Sequence, residues 1–107
     1  MLLKLPWSAR TLSPTEAHAR ADVQIIDVRS RTEWRTGHAP RARHIALNEL
    51  PGRLAELDRS RPVAFICQSG VRSAHAVRLA KRSGIEAMNI AGGMRAWQRA
   101  QLPTSKR

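Results

Sequence analysis

The sequence predicts an α/β domain that is built on a mostly parallel sheet. Three short and largely apolar runs, at residues 23–26, 63–66 and 87–90, have the length and composition of buried strands. Helical segments separate these runs along the chain, and strands that alternate with helices favour parallel pairing. The chain has 107 residues, which suits one domain and is too short for two.

Two helix starts in the first half of the chain share one capping pattern. Ser13 lies three residues before Glu16, and a second serine, Ser30, has the same relation to Glu33. In such a capping box the serine hydroxyl accepts from a helical N–H, and the glutamate accepts from the serine's own N–H. We therefore predict that one helix follows Ser13 and another follows Ser30. Gly37 fits the end of the second helix.

The rest of the chain predicts a strand at residues 45–47 and three more helices. Asn48 suits the cap of a helix that runs to about Leu57. Apolar residues recur at helical spacing from Ala74 to Ala80, so a longer helix follows the strand at residues 63–66. The last helix begins after two adjacent glycines, and its Trp97 is expected to anchor the core.

Cys67, the single cysteine of the chain, lies between a buried strand and a helix start. The first N–H groups of a helix lack intrahelical partners and carry about half a positive charge. A thiol that faces such groups has a lowered pKa, because the thiolate is stabilised. Gly70 allows close backbone approach to a ligand, and Arg72 adds a permanent cation. The loop therefore predicts an anion cradle around a nucleophile, although a lone buried cysteine is more often only packing.

The net charge of +11 comes mostly from arginine. Arginine binds oxyanions and stacks on bases, so a small anionic substrate, an acidic protein and RNA are all compatible with it. No basic patch interleaved with aromatic residues is present, and we therefore favour a solvated surface over nucleic-acid binding. One cysteine excludes an intrachain disulfide, and no segment is long enough to span a membrane, so we expect a cytoplasmic protein without membrane partners.

The histidines do not predict a metal site. His38 and His44 have neither a second cysteine nor a carboxylate cluster beside them. Hydrogen bonding to the backbone is the better interpretation for both, and His75 is expected to be exposed. We expect no metal and no cofactor.

Several separate motifs are similar to those of one protein family. Residues 67–73, CQSGVRS, resemble the active-site loop of the rhodanese (sulfurtransferase) domain, in particular of its single-domain members. Further matches, in the family's order, are Asp27-Val28-Arg29, Glu33-Trp34, Gly37-His38-Ala39-Pro40, His44-Ile45, Gly92-Gly93, Trp97 and Leu102-Pro103. Several motifs together are more specific than any single one.

The resemblance implies a three-layer rhodanese-like α/β fold, with a five-stranded, mostly parallel sheet and helices on both faces. It divides the chain into an N-terminal extension at residues 1–10, a rhodanese domain at 11–103 and a basic C-terminal tail at 104–107. We expect the tail to be disordered. Asp27 and Arg29 have a mainly structural role in this pattern.

The resemblance also implies a sulfurtransferase in which Cys67 is catalytic and carries sulfur as a persulfide. The donor would be a small anion such as thiosulfate or a persulfide, and the acceptor would be a thiol or cyanide. A protein partner in a sulfur relay is compatible with the same chemistry. The substrate-binding residues would be Gln68, Ser69, Gly70, Val71, Arg72 and Ser73.

Two residues depart from the family pattern. Arg41 stands where a glycine commonly follows the proline, which puts substrate access in question. Gln101 stands where a glycine often precedes Leu-Pro, and this alters a helix end.

Two other functions stay open. Cysteine phosphatases also surround a cysteine and an arginine with a phosphate-binding loop, but five residues separate the two there and four separate them here. The second alternative is a rhodanese-like module without activity that serves in regulation or protein binding.

Overall fold

The computed structural model describes residues 11–107. Along the chain it contains β1 (Thr11–Leu12), α1 (Pro14–Ala19), β2 (Gln24–Asp27), α2 (Arg31–Arg35), β3 (Arg43–His44), α3 (Leu50–Arg53), β4 (Val63–Ile66), α4 (Val71–Arg82), β5 (Ala87–Ile90) and α5 (Gly93–Arg99). Short 3-10 helices at Leu47–Glu49 and Leu54–Glu56 flank α3. The predicted extension at residues 1–10 lies outside the described residues.

The five strands form one sheet in the order β1-β5-β4-β2-β3, and every neighbouring pair is parallel. The central strand, β4, is buried at all four of its residues. Because parallel strands end at the same edge, the loops after β2, β4 and β5 meet there, which is where open parallel sheets bind ligands. The predicted five-stranded parallel sheet is confirmed.

Helices cover both faces of the sheet, as predicted. On one face α3 and α4 pack on β4 through Leu50, Ala76 and Ala80. On the other face α1 and α5 pack through Ala17 and Trp97. Trp97 is fully buried and its indole N–H donates to Pro103 O at 2.9 Å, so its predicted role as a core anchor is confirmed. Within residues 11–107 no helix is long and apolar enough to cross a membrane.

Both predicted capping boxes form. The amide of Glu16 donates to Ser13 Oγ at 3.0 Å, and the amide of Ser13 donates to Glu16 Oε1 at 2.8 Å. Ser30 and Glu33 exchange the corresponding bonds at 3.0 and 3.2 Å. Gly37 directly follows Thr36, the C-cap of α2, and its φ of +136 favours glycine.

The single helix predicted from Asn48 to Leu57 is wrong. This segment forms the short α3 between two 3-10 helices, and no side chain caps any of the three. Pro51 lacks an N–H and Gly52 lacks helix propensity, so a continuous helix is interrupted at this point. The strand predicted at residues 45–47 lies instead at Arg43–His44, where it pairs with the end of β2.

Arg41 has a structural place in the fold. Its guanidinium donates to the carbonyls of Ala17, Arg20 and Val23 at 2.9, 3.1 and 3.1 Å, and so it ties the loop before β3 to the end of α1. Val23 precedes β2, and this edge of the sheet is opposite the edge where Cys67 lies. The Arg41 guanidinium therefore binds away from the edge of the sheet that holds the thiol.

The C-terminal residues are attached to the domain. Ser105 and His38 form an antiparallel bridge, in which each amide donates to the other residue's carbonyl at 2.8 Å. The prediction that residues 104–107 are disordered is therefore wrong at Ser105. Gln101, the second departure from the family pattern, follows α5 with φ +59, a left-handed conformation that a glycine would adopt without strain.

Candidate active site

Cys67 follows the last residue of β4 at the carboxyl edge of the sheet. The chain then turns through Gln68 and Ser69 to Gly70, the cap of α4, which has φ +109. A side chain would strain the backbone in this conformation, so glycine suits this position. Residues 67–73, which resemble a rhodanese active-site loop, are called the active-site loop below.

Hydrogen-bond donors surround the Cys67 sulfur. The Gly70 amide donates to Sγ at 3.0 Å, and the Ser73 hydroxyl lies 3.3 Å from Sγ. Backbone hydrogen bonds from Ser69 and Ser73 also help to lower the pKa of the thiol. Burial raises the pKa of the Cys67 thiol, but these hydrogen bonds outweigh it, so that the pKa lies below the ordinary value. The cradle of donors expected around the thiol is present, and the cysteine is nevertheless buried, with 1% of its surface exposed.

The first residues of α5 set the direction of two amides in the loop, those of Gln68 and Ser69. The Met94 amide donates to Cys67 O at 2.7 Å, and the Arg95 amide donates to Gln68 O at 3.1 Å. Because C=O and N–H point in opposite directions across a planar trans peptide, the amides of Gln68 and Ser69 face away from α5. At Gly93 an added Cβ atom would lie 2.3 Å from Cys67 O, so this close approach requires glycine.

A buried ion pair supports the loop from the side of β2. Arg29 donates to both carboxylate oxygens of Asp27, with the shortest contact at 2.8 Å, and the two residues are 2% and 0% exposed. The remaining Arg29 donors reach Gly37 O at 2.8 Å and Gln68 Oε1 at 3.3 Å. Arg29 therefore links β2, the end of α2 and the active-site loop.

Arg72 is already paired. Its two terminal nitrogens donate to the two carboxylate oxygens of Glu33 at 2.8 and 2.9 Å. This bidentate bond is the main reason why the pKa of Glu33 falls to about 2, although burial opposes it. The predicted cation is therefore present in the loop, but Glu33 already binds it. An anion that binds Arg72 must share it with Glu33.

The predicted site residues divide into three groups in the structure. Ser69, Gly70 and Ser73 supply donors to the thiol. Gln68 and Arg72 bind neighbouring elements, whereas Val71 is 76% exposed at the start of α4. Gln68 and Arg72 thus bind their surroundings through their side chains, whereas Gly70 donates to the thiol through its backbone amide.

Asn89 belongs to the same network, and the sequence analysis did not identify it. Its Oδ1 accepts from the Ser73 hydroxyl at 2.6 Å, and its Nδ2 donates to Gly70 O at 3.1 Å. The available signal was a polar residue within an apolar strand, near the edge where ligands bind.

Both histidines that were weighed as metal ligands bond to the backbone, as predicted. His38 Nδ1 lies 2.9 Å from Trp34 O, and His44 Nε2 lies 2.7 Å from Arg29 O. Trp34 stacks on the His38 ring with the centroids 3.4 Å apart. Among residues 11–107 no group of three or more His, Cys, Asp or Glu side chains could hold a metal ion. His75 is exposed on α4.

An open groove of about 510 Å³ lies beside the active-site loop. Arg72, His75 and Leu79 of α4 form one side, and residues around Val28 and Leu47 form the other. The walls are mostly apolar, and the volume lies in the range of small-molecule sites. The groove offers room next to the loop for a molecule larger than thiosulfate.

Comparisons with known proteins agree on one family. The family model of the Rhodanese-like domain matches residues 13–100. A protein of Bacillus subtilis (strain 168), provisionally named as the sulfurtransferase YtwF, is 34% identical over 79% of this chain and 82% of its own length. A sulfurtransferase of Allochromatium vinosum is also 34% identical, over 77% of this chain and 78% of its own. The crystal structure of a rhodanese-related protein from Thermoplasma volcanium matches with a TM-score of 0.87 and 25% identity, over 92% of this chain and 99% of that one. The chain therefore belongs to the rhodanese-like domain family.

Proposed function

We propose that the protein transfers sulfane sulfur through a persulfide on Cys67. Membership of the rhodanese family and the similarity to sulfurtransferases support the general class of reaction. The observation that carries the specific proposal is the set of donors aimed at Cys67 Sγ, which includes the Gly70 amide at 3.0 Å. Such donors stabilise a thiolate, which is the nucleophilic form of the residue.

The first step loads sulfur onto the protein. The Cys67 thiolate attacks the outer sulfur of thiosulfate, a new S–S bond forms, and the original S–S bond breaks. Sulfite leaves with the electron pair of the broken bond, and Cys67 carries a persulfide with one negative charge. The second step removes this sulfur. Cyanide attacks it to give thiocyanate, or a thiolate attacks it to give a new persulfide, and either reaction restores the Cys67 thiolate.

In this proposal residues Gln68, Ser69, Gly70, Val71, Arg72 and Ser73 form the substrate-binding loop. Their amides hold the anionic persulfide and the charge that develops during transfer. Arg72 contributes positive charge close to the donor while it remains paired with Glu33. A protein partner in a sulfur relay and a cytoplasmic location stay predictions.

Intact mass spectrometry tests the proposal directly. After incubation with thiosulfate and removal of the excess, the wild-type protein should gain the mass of one sulfur atom. A matched Cys67→Ser protein should gain nothing, and Cys67→Ala should lose sulfur transfer to cyanide by at least about a thousandfold. No added sulfur on the wild type, or full activity of the alanine variant, would refute a persulfide on Cys67.

The same protein samples also test the phosphatase alternative. Four residues separate Cys67 from Arg72, so the ring of amides is smaller than in a cysteine phosphatase. A phosphate, like thiosulfate, would have to share Arg72 with Glu33, so this ion pair does not distinguish the two substrates. Turnover of an aryl phosphate without formation of the persulfide would support the phosphatase, and a Cys67 that reacts with neither substrate would support a binding module.

A further inference from the structure

The Ser73 hydroxyl lies between two groups that can both accept its proton. Its Oγ is 2.6 Å from Asn89 Oδ1 and 3.3 Å from Cys67 Sγ, and the serine is fully buried. A serine hydroxyl carries a single proton, so it can fully donate only one of these hydrogen bonds at a time.

The active-site loop fixes the orientation of the Asn89 amide. Its Nδ2 donates to Gly70 O at 3.1 Å, and a flipped amide would place its oxygen against that carbonyl oxygen. Asn89 Oδ1, which can only accept, therefore faces Ser73. A Ser73 hydroxyl that donates to Asn89 presents its lone pairs to Cys67, and this arrangement suits a protonated thiol.

An ionised Cys67 needs the opposite arrangement, because a thiolate can only accept hydrogen bonds. The Ser73 hydroxyl must then turn toward Sγ, and Asn89 Oδ1 loses its donor. We propose that Asn89 is a positioning residue that competes with the Cys67 thiolate for the single proton of the Ser73 hydroxyl. Asn89 thereby helps to set the fraction of the resting protein that carries a thiolate.

The competition changes once sulfur has been transferred to Cys67. The negative charge then lies on the outer sulfur, and Sγ is bonded to two atoms and carries no charge. Ser73 is free to donate to Asn89 again, so its hydroxyl has one orientation for the thiolate and another for the persulfide. This second part rests on the proposed function, whereas the competition in the resting protein does not.

The ultraviolet absorbance of the thiolate measures this competition. The chain has one cysteine and no tyrosine, so no other thiolate and no tyrosinate contributes to the titration. Asn89→Ala should lower the midpoint of the titration by about one pH unit, because Ser73 then donates to the thiolate without a competitor. Ser73→Ala should raise the midpoint by a similar amount. Asn89→Leu, which has nearly the same shape, replaces the alanine variant if that protein does not fold.

A double-mutant cycle separates the two hydrogen bonds of Asn89. The residue also holds Gly70, and the loss of that bond would move the midpoint by itself. This contribution persists in a Ser73→Ala background, whereas the contribution through the hydroxyl disappears. The charged and titratable side chains around the loop are the same in all four proteins of the cycle, and they are Asp27, Arg29, Glu33, Arg72, His75 and Arg95.

Two results test the competition: the direction in which the titration midpoint of Cys67 moves, and whether that shift depends on Ser73. A midpoint that falls in Asn89→Ala and does not fall in the Ser73→Ala background supports the competition. A midpoint that rises, or that changes equally in both backgrounds, overturns it and leaves Asn89 as a support for Gly70 alone. Because the titration does not involve sulfur transfer, its failure is distinguishable from failure of the proposed function.

Discussion

Gly93 lies directly against the backbone of the active-site loop. A Cβ atom there would be 2.3 Å from Cys67 O and 2.7 Å from Gln68 O, and φ is +59. We expect Gly93→Ala to displace the loop, because these contacts are with backbone atoms that cannot move aside alone. The amides around the thiol would lose their alignment. The variant should lose about 3 kcal/mol of unfolding free energy and most sulfur transfer, measured by urea denaturation and by thiocyanate formation.

Gly52 provides the matched control for this prediction. Apart from its chain neighbours and the backbone of its own helix, no atom lies within 4 Å of a Cβ added at Gly52, which is part of α3. Alanine favours a helix over glycine by up to about 1 kcal/mol, so Gly52→Ala should retain or increase the stability. If Gly93→Ala instead matched the wild type in stability and transfer, the close packing of α5 on the loop would not be needed for either.

At the scale of elements, the ion pair between Glu33 and Arg72 connects α2 to the start of α4. The pKa of Glu33 is lowered from 4.5 to about 2, mainly by the bond from Arg72 and in part by the bonds from Ser30. A carboxylate whose pKa is lower in the folded state stabilises the fold above its unfolded pKa, and this contribution is lost as the pH falls from about 4.5 toward 2. Because both side chains are partly exposed, Glu33→Gln should cost only about 1 kcal/mol at neutral pH. It should also remove that part of the acid dependence, measured by denaturant titration at several pH values.

The two capping boxes supply a control of the same kind. Glu16 occupies in α1 the position that Glu33 occupies in α2, and glutamine can replace glutamate in a capping box. Both capping boxes should therefore still form in Glu16→Gln and Glu33→Gln. Only Glu33→Gln also loses a bond to an arginine. Equal losses of stability in Glu16→Gln and Glu33→Gln would show that the ion pair contributes nothing measurable.

The elements also show where the sequence was informative. Capping boxes and the apolar run of β4 are local signals, and the structure contains both where they were predicted. The helix predicted from Asn48 does not form as one element, because the polar cap residue is a local signal and Pro51 and Gly52 interrupt the helix after it. The partners of Ser73 and Arg72 could not be derived, since Asn89 and Glu33 are 16 and 39 residues away along the chain and meet them only after the sheet has formed.

At the scale of the whole molecule, basic side chains greatly outnumber acidic ones. The chain has 19 lysines and arginines but only 8 aspartates and glutamates. The net charge of +11 therefore produces a positive field around the protein. The carboxyl edge of the sheet, where Cys67 lies, is within this field. Long-range attraction between such a field and a small anion accelerates their encounter.

This field predicts that the reaction with thiosulfate depends on salt. Between about 0.01 M and about 1 M salt the Debye length falls from about 30 Å to about 3 Å, so distant arginines cease to attract the dianion. We expect kcat/KM for thiosulfate to fall by about three- to tenfold over this range. Iodoacetamide is uncharged and reacts with the same thiolate, so its rate with Cys67 serves as the control and should change far less. If the two rates changed in parallel, salt would be acting on the thiolate itself. If neither changed, the excess of arginine would have no part in drawing the donor to the protein.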